Sequence, residues 1–278
     1  MAVGRRWKWV VAFVGVAVVA YAAAAVLLYT QQDHLIFPGA DRPPPATSGP
    51  TEPGADQVWI TSDDGCRIEA WYRPGSGRTP ANPGPAAIYF HGNGDTVDTG
   101  WWVAPHYAST GISTLVVEYR GYGRSDGHPS ETAIVADSIR FYDWLVARPE
   151  VDPKRVIFHG MSLGGGVAVA VAAHRRPAAM VLEATFSSMI ALTHRYWMPG
   201  FLCRHPFRSD RALSKLDIPI AIFHGRHDAT IPISNGRRLH QFAPNSRFTE
   251  LDCGHHDYHN DWENVRSFLA SVGLLPEP

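Results

Sequence analysis

Cysteine, net charge and basic clusters are all scarce in this sequence. Three cysteines, Cys66, Cys203 and Cys253, are spread over 278 residues, which excludes a disulfide framework and a CxxC-type zinc site. A single disulfide between any two of them is the most that these residues allow. The formal net charge is −1, and no basic stripe is interleaved with aromatic residues. We therefore expect no nucleic-acid partner.

Charge is also missing locally, because residues 10–29 contain no charged side chain. This run, VVAFVGVAVVAYAAAAVLLY, is long enough to cross a bilayer as one helix. Basic residues precede it, which predicts that residues 1–9 stay in the cytoplasm and that the rest of the chain lies outside it. The alternative is a signal peptide cleaved at the alanine run of residues 22–25, which would give a secreted protein.

Prolines and glycines dominate the segment that follows. PGADRPPPATSGPTEPGA disfavours regular structure, so residues 30–55 are predicted to be an extended tether between membrane and domain. The folded domain is expected over residues 56–275. Its first segments, VWITS and RIEAWYRP, alternate apolar and polar residues around Asp64-Gly65, which predicts an antiparallel hairpin.

Five later segments share one pattern, a short apolar run that ends in small or polar residues. They are AAIYFHGNG, GISTLVVEYRGYG, KRVIFHGMS, AAMVLEATF and PIAIFHGRHD. Such runs are typical of strands buried on both faces of a parallel sheet. Helical candidates alternate with them, including ETAIVADSIRFYDWLVA behind the N-cap candidate Ser130. The fold class is therefore α/β, with a mostly parallel, doubly wound sheet and active residues at the carboxyl ends of its strands.

A G-x-S-x-G motif, Gly160-Met161-Ser162-Leu163-Gly164, lies between the strand RVIF and a helix of small residues. In that context the serine occupies a tight strand-to-helix turn at the end of the sheet. Ser162 is therefore the candidate nucleophile, with a flexible glycine loop as the alternative. The backbone N–H of Leu163 is expected to donate to an oxyanion.

A nucleophilic serine needs a base, and the base needs a carboxylate that orients it. Asp228 follows the strand PIAIF, and DCGHHDYHND supplies His255, His256 and His259 downstream. A metal site is the alternative for this cluster, since His255 and His259 have the i, i+4 spacing of one helical face. The pattern H-E-x-x-H is missing, however, so we expect no metal.

The segments YFHGNGD, VVEYRGYGRSDG, FHGMSLGG, FHGRHDATIP and CGHHD resemble, in order and spacing, the α/β-hydrolase superfamily. They are most similar to its membrane-anchored Bem46-like and ABHD-type serine hydrolases, over residues 31–270. This resemblance implies the α/β-hydrolase fold with a short cap insertion.

The same resemblance assigns roles to single residues. It implies a catalytic triad of Ser162, Asp228 and His255. His256 is the rival base, because Gly-His-His-Asp replaces the usual Gly-His-Asn-Asp. It also implies that the N–H of Asn93 is the second oxyanion donor. His91 and Glu118 are interpreted as structural supports of the site.

Residues 187–217, SSMIALTHRYWMPGFLCRHPFRSDRALSKLD, are rich in large apolar side chains. They are predicted to form either a small apolar cap over an acyl pocket or a peripheral helix and loop. We expect hydrolysis of carboxylic esters or thioesters, with lipid-like acyl substrates favoured and no cofactor. The alternatives are a serine aminopeptidase of the same fold and a non-catalytic binding protein. Membrane lipid around the N-terminal helix is the other expected partner.

Overall fold

A single sheet of eight strands organises the domain in the computed structural model, which describes residues 2–193, 197–257 and 262–275. The strands are β1 (Asp56–Thr61), β2 (Arg67–Arg73), β3 (Gly84–Phe90), β4 (Ser113–Val117), β5 (Val151–Met161), β6 (Ala179–Glu183), β7 (Ile220–Gly225) and β8 (Ser246–Leu251). Their order in the sheet is β1-β2-β4-β3-β5-β6-β7-β8. β1 pairs antiparallel with β2, and β2 with β4, while every later pairing is parallel. The predicted fold class, including the N-terminal hairpin, is confirmed.

Helices cover both faces of this sheet, which is why β3, β4, β6 and β7 are buried at every position. The helices are α1 (Ala2–Ile36), α2 (Val97–Gly100), α3 (Val103–Ser109), α4 (Glu131–Val146), α5 (Leu163–Ala172), α6 (Met189–Thr193), α7 (Ser209–Leu213), α8 (Ser234–Phe242) and α9 (Trp262–Ser271). One core cluster packs α4, α5, α7 and α8 on one face, and a second packs α2, α3 and α9 on the other. Ser130 caps α4 as predicted, because its side chain accepts a hydrogen bond from the Ala133 N–H.

The N-terminal helix α1 is longer than the apolar run predicted. Its stretch Trp7–Ile36 is long and apolar enough to cross a membrane, with a mean hydropathy of 2.6 in its most apolar window, and none of that window is buried in the protein. The predicted span ended at residue 29, whereas the helix continues to Ile36.

The junction between α1 and the domain also differs from the expected tether. Ile36 and Phe37 are buried in the core cluster beside α4 and α5, and a 3₁₀ turn follows at Pro38–Asp41. Within the predicted tether, the unbroken stretch without helix or strand is limited to residues 42–55. Apolar side chains here have a core to enter, so the chain packs onto the domain before the proline-rich stretch begins.

The three cysteines all lie within the described residues, and they form no disulfide with one another. Cys203 is buried and the other two are half-buried. The single disulfide that the sequence allowed is therefore not formed.

Candidate active site

Three of the predicted residues meet at the carboxyl edge of the sheet. Ser162 follows β5, Asp228 follows β7 and His255 follows β8. The Ser162 hydroxyl lies 3.1 Å from His255 Nε2, and His255 Nδ1 lies 2.7 Å from Asp228 Oδ2. Because a carboxylate only accepts hydrogen bonds, His255 donates through Nδ1 and its Nε2 accepts from the serine. All three side chains are buried.

The turn that carries Ser162 is strained and depends on its two glycines. Ser162 has φ 53° and ψ −115°, a left-handed backbone conformation that non-glycine residues rarely adopt. Its N–H donates to the Glu183 carbonyl at 2.9 Å, which helps to hold this conformation. A Cβ on Gly160 would collide with the Gly164 carbonyl, and one on Gly164 would collide with the carbonyl of Phe90. The motif therefore needs glycine at both positions for backbone packing.

Asp228 is held as a carboxylate. Its Oδ1 accepts hydrogen bonds from the N–H groups of Thr230 and Ile231, at 2.9 and 2.7 Å. Burial alone would raise the pKa of Asp228, but the hydrogen bonds from His224, His255 and the Ile231 N–H outweigh it and hold the pKa well below its usual range. A fixed negative charge thus faces the His255 ring.

His256, the rival base, is exposed, and its ring packs edge-on against that of His255 at 4.9 Å. The structure brings His255 to the serine instead. His259 lies outside the described residues. Among the residues that are described, no group of three or more His, Cys, Asp or Glu side chains is arranged to hold a metal ion.

The loop after β3 contains Asn93 and borders the same site. His91 Nε2 donates to Glu118 Oε1 at 2.7 Å, and His91 Nδ1 donates to the Gly92 carbonyl at 2.8 Å. Burial alone would lower the pKa of His91, but the Glu118 carboxylate outweighs it and raises the pKa. Glu118 also accepts from the Val97 N–H at 2.9 Å. This buried ion pair braces the loop, which is the role interpreted for both residues.

A further brace of this loop was not predicted. The Asn93 carbonyl accepts hydrogen bonds from the Gly39 N–H at 3.1 Å and from the Tyr122 hydroxyl at 3.2 Å. A Cβ on Gly39 would overlap the Tyr122 ring. The segment just after α1 therefore helps to hold the loop in place at the Asn93 carbonyl. No local pattern indicates this contact, because its partners are far apart along the chain.

A cavity of about 380 Å³ opens above the serine. Its described lining is Leu28, Gln32, Leu35, Ile36, Asn93, Ser162, Leu163, Phe186, Met189, Leu192, Thr193, Met198, Thr230 and Ile231. Both backbone positions expected to donate to an oxyanion, Asn93 and Leu163, border it. Residues of the 187–217 insertion form one side, so the segment covers the site as an apolar cap. None of these lining residues is charged.

The other side of the cavity is formed by α1, which was predicted to serve only as an anchor. Leu28, Gln32, Leu35 and Ile36 follow the spacing i, i+4, i+7, i+8 and so share one helical face. A glutamine at the end of an apolar helix, in step with three large aliphatic residues, is the sequence signal that would have predicted this face.

Comparisons with known proteins agree with this architecture. A family model described as serine aminopeptidase, S33, matches residues 81–209. The chain is 33% identical over 250 residues to the uncharacterized protein Rv2307c of Mycobacterium tuberculosis, covering 87% of each chain. It is 26% identical over 261 residues to the alpha/beta hydrolase domain-containing protein WAV2 of Arabidopsis thaliana, covering 84% of each.

Among solved structures, Est1E from Butyrivibrio proteoclasticus with ferulic acid bound shares the fold. The TM-score is 0.67 at 18% identity, over 77% of this chain and 98% of that chain.

Proposed function

The chain belongs to the α/β-hydrolase superfamily, and from that premise we propose that it is a serine hydrolase that cleaves carboxylic ester or thioester bonds, with lipid-like acyl substrates favoured. The observation that carries the proposal is the hydrogen-bonded series Ser162, His255, Asp228 at the base of an uncharged, apolar cavity. A buried hydroxyl in contact with a base, which is itself oriented by a carboxylate, is the arrangement that activates serine.

The proposed reaction passes through an acyl-enzyme. Ser162 Oγ attacks the carbonyl carbon while His255 Nε2 takes the hydroxyl proton, and Asp228 stabilises the imidazolium that forms. The N–H groups of Asn93 and Leu163 donate to the oxyanion. When the tetrahedral intermediate collapses, His255 gives the proton to the departing alcohol or thiol. Water, deprotonated by the same histidine, then releases the acid and regenerates Ser162.

Covalent labelling by a fluorophosphonate tests this assignment. The wild-type protein is expected to label, and Ser162→Ala and His255→Ala are expected to lose labelling. His256→Ala serves as the matched control, because the adjacent imidazole is exposed, and it should label at the wild-type rate. An unlabelled wild type, or loss of labelling in His256→Ala with retention in His255→Ala, would overturn the proposed roles.

A serine aminopeptidase is the second candidate, favoured by the description of the matching family model. Such an enzyme needs an acidic side chain to hold the free amine of its substrate. The described lining of the cavity contains no aspartate or glutamate, which supports esters over amino-terminal peptides. Comparing kcat/KM for p-nitrophenyl esters with that for aminoacyl anilides decides between them, and a preference for anilides would reverse the assignment.

We further propose that α1 is retained as an anchor, with residues 1–9 in the cytoplasm and the domain outside. Three basic residues before the apolar stretch and the continuity of α1 with the folded domain support this topology. Protease treatment of sealed inside-out and right-side-out vesicles tests it. Digestion of the domain from the cytoplasmic side would contradict the orientation, and a chain that starts after residue 25 would show that the anchor is cleaved.

A further inference from the structure

The end of α1 is hydrogen-bonded to the cap. Gln32 is buried, its Nε2 donates to the Leu202 carbonyl at 3.2 Å, and its Oε1 accepts from the Arg204 N–H at 2.8 Å. The Gln32 side chain is therefore hydrogen-bonded to the cap backbone through both its amide nitrogen and its amide oxygen.

An ion-pair cluster next to Gln32 reinforces this attachment. Asp33 accepts from the Arg204 guanidinium at 2.6 Å and from His205 Nε2 at 2.9 Å. The His205 ring also packs edge-on against Phe37 at 5.1 Å. The helix and the cap thus form one packed unit, and the space between them has a defined shape.

Most of the side chains that line that space are apolar. Leu28, Leu35 and Ile36 lie on the helix side, and Met189 and Leu192 are among the residues that lie on the cap side. From residue 28 to residue 36 the helix rises about 12 Å. A cavity lined along this part of the helix, with Ser162 in its lining and no charged residue among the described lining residues, suits an extended alkyl chain better than a charged group.

The cap reaches along α1 towards the part of the helix that is apolar enough to lie in a bilayer. The Tyr21 hydroxyl donates to the Trp197 carbonyl at 2.9 Å. Trp197 and Phe201 are 84% and 87% exposed, and among the described residues they are the exposed large apolar side chains outside α1. An exposed tryptophan beside an apolar helix of this kind is typical of a protein surface in contact with lipid headgroups and acyl chains.

From these contacts we infer that α1 forms one wall of the acyl-binding site, so that the fatty acyl chain of a membrane lipid lies between Leu28 and Leu35 of the helix and the cap. This inference rests on the proposed function. It makes the anchor helix a determinant of acyl-chain length. Leu28, farther from the serine than Ile36 along the helix, contacts long chains and not short ones.

The test uses the full chain in lipid nanodiscs. Leu28→Trp fills the cavity from the helix side, and Leu27→Trp, on the adjacent exposed face, is the matched control. We expect Leu28→Trp to lower kcat/KM for p-nitrophenyl dodecanoate about tenfold or more. The ratio of kcat/KM for the dodecanoate to kcat/KM for p-nitrophenyl acetate should fall by a similar factor, whereas all activities and the fluorophosphonate labelling of Leu27→Trp should stay within about twofold of wild type.

A photoreactive fatty acid bearing a terminal diazirine gives a second readout that needs no turnover. In Ser162→Ala protein we expect it to crosslink to peptides that contain residues 28–36. If both tryptophan variants keep the wild-type chain-length profile while labelling normally, the inference is wrong and the proposed hydrolase stands. Crosslinks confined to other parts of the domain would also overturn it. A wild type that neither labels nor hydrolyses either ester would instead refute the proposed function.

Discussion

Replacing Asp228 by asparagine isolates the electrostatic part of the proposed mechanism, because it removes a charge while keeping the side-chain shape. The carboxylate lies 2.7 Å from His255 Nδ1. With charge centres about 4 Å apart and an effective dielectric constant near 20, the carboxylate stabilises the imidazolium by about 4 kcal/mol. That stabilisation exists only once His255 has taken the serine proton, so its loss should slow acylation about a thousandfold.

The assay is the second-order rate constant for fluorophosphonate labelling, together with kcat/KM on a short ester. Asp252→Asn is the matched control, since Asp252 accepts a hydrogen bond from His227 at 3.0 Å in an exposed pair. It should change the rate by about twofold at most, because exposed ion pairs contribute little. If Asp228→Asn folds, as judged by its unfolding temperature, and keeps more than about a tenth of the wild-type rate, the charge argument is refuted.

The remaining predictions concern the loops around the serine. Gly164→Ala places a methyl group on the Phe90 carbonyl, so we expect it to lower the free energy of unfolding by about 3 kcal/mol, and unchanged thermal stability would contradict this. Glu118→Gln should lower the free energy of unfolding by about 3–5 kcal/mol. Because the folded-state pKa of His91 is raised, this loss of stability should be largest below about pH 6.5 and should shrink as the pH rises. A loss that does not depend on pH would show that the charge of His91 is not its cause. Gly39→Ala should lower kcat about tenfold with little change in KM, since it displaces the loop whose Asn93 N–H is the proposed oxyanion donor, and a change in KM alone would exclude that cause.

The sheet could be predicted because the residues within each strand are enough to identify that strand. Each buried strand is a short apolar run, and the carboxyl end of a run marks where a side chain can be presented to substrate. Ser162 and Asp228 follow such runs directly, so their positions could be assigned from neighbouring residues. His255 and His256 follow the same strand one residue apart, and sequence alone could not choose between them. The choice depends on how a loop turns, which is set by contacts across the sheet edge.

The junction after α1 was not predictable in the same way. Proline and glycine content describes residues 42–55 correctly, but it says nothing about Gln32, whose partners in the cap lie 170 and 172 positions away in the sequence. The Asn93 brace has the same character, since Gly39 reaches it across the fold. In both cases the local composition predicted an extended tether, whereas long-range hydrogen bonds and core packing hold the segment against the domain.

The attachment of α1 to the cap has a consequence for where the proposed hydrolase can work. A domain on a flexible tether could reach substrates in solution and on neighbouring membranes. If α1 spans the membrane as proposed, a helix that is bonded to the domain through Gln32 and Asp33 instead fixes the height and tilt of Ser162 relative to the bilayer. Local membrane thickness then becomes a variable of the reaction, because a bilayer that tilts the helix also tilts the opening above the serine.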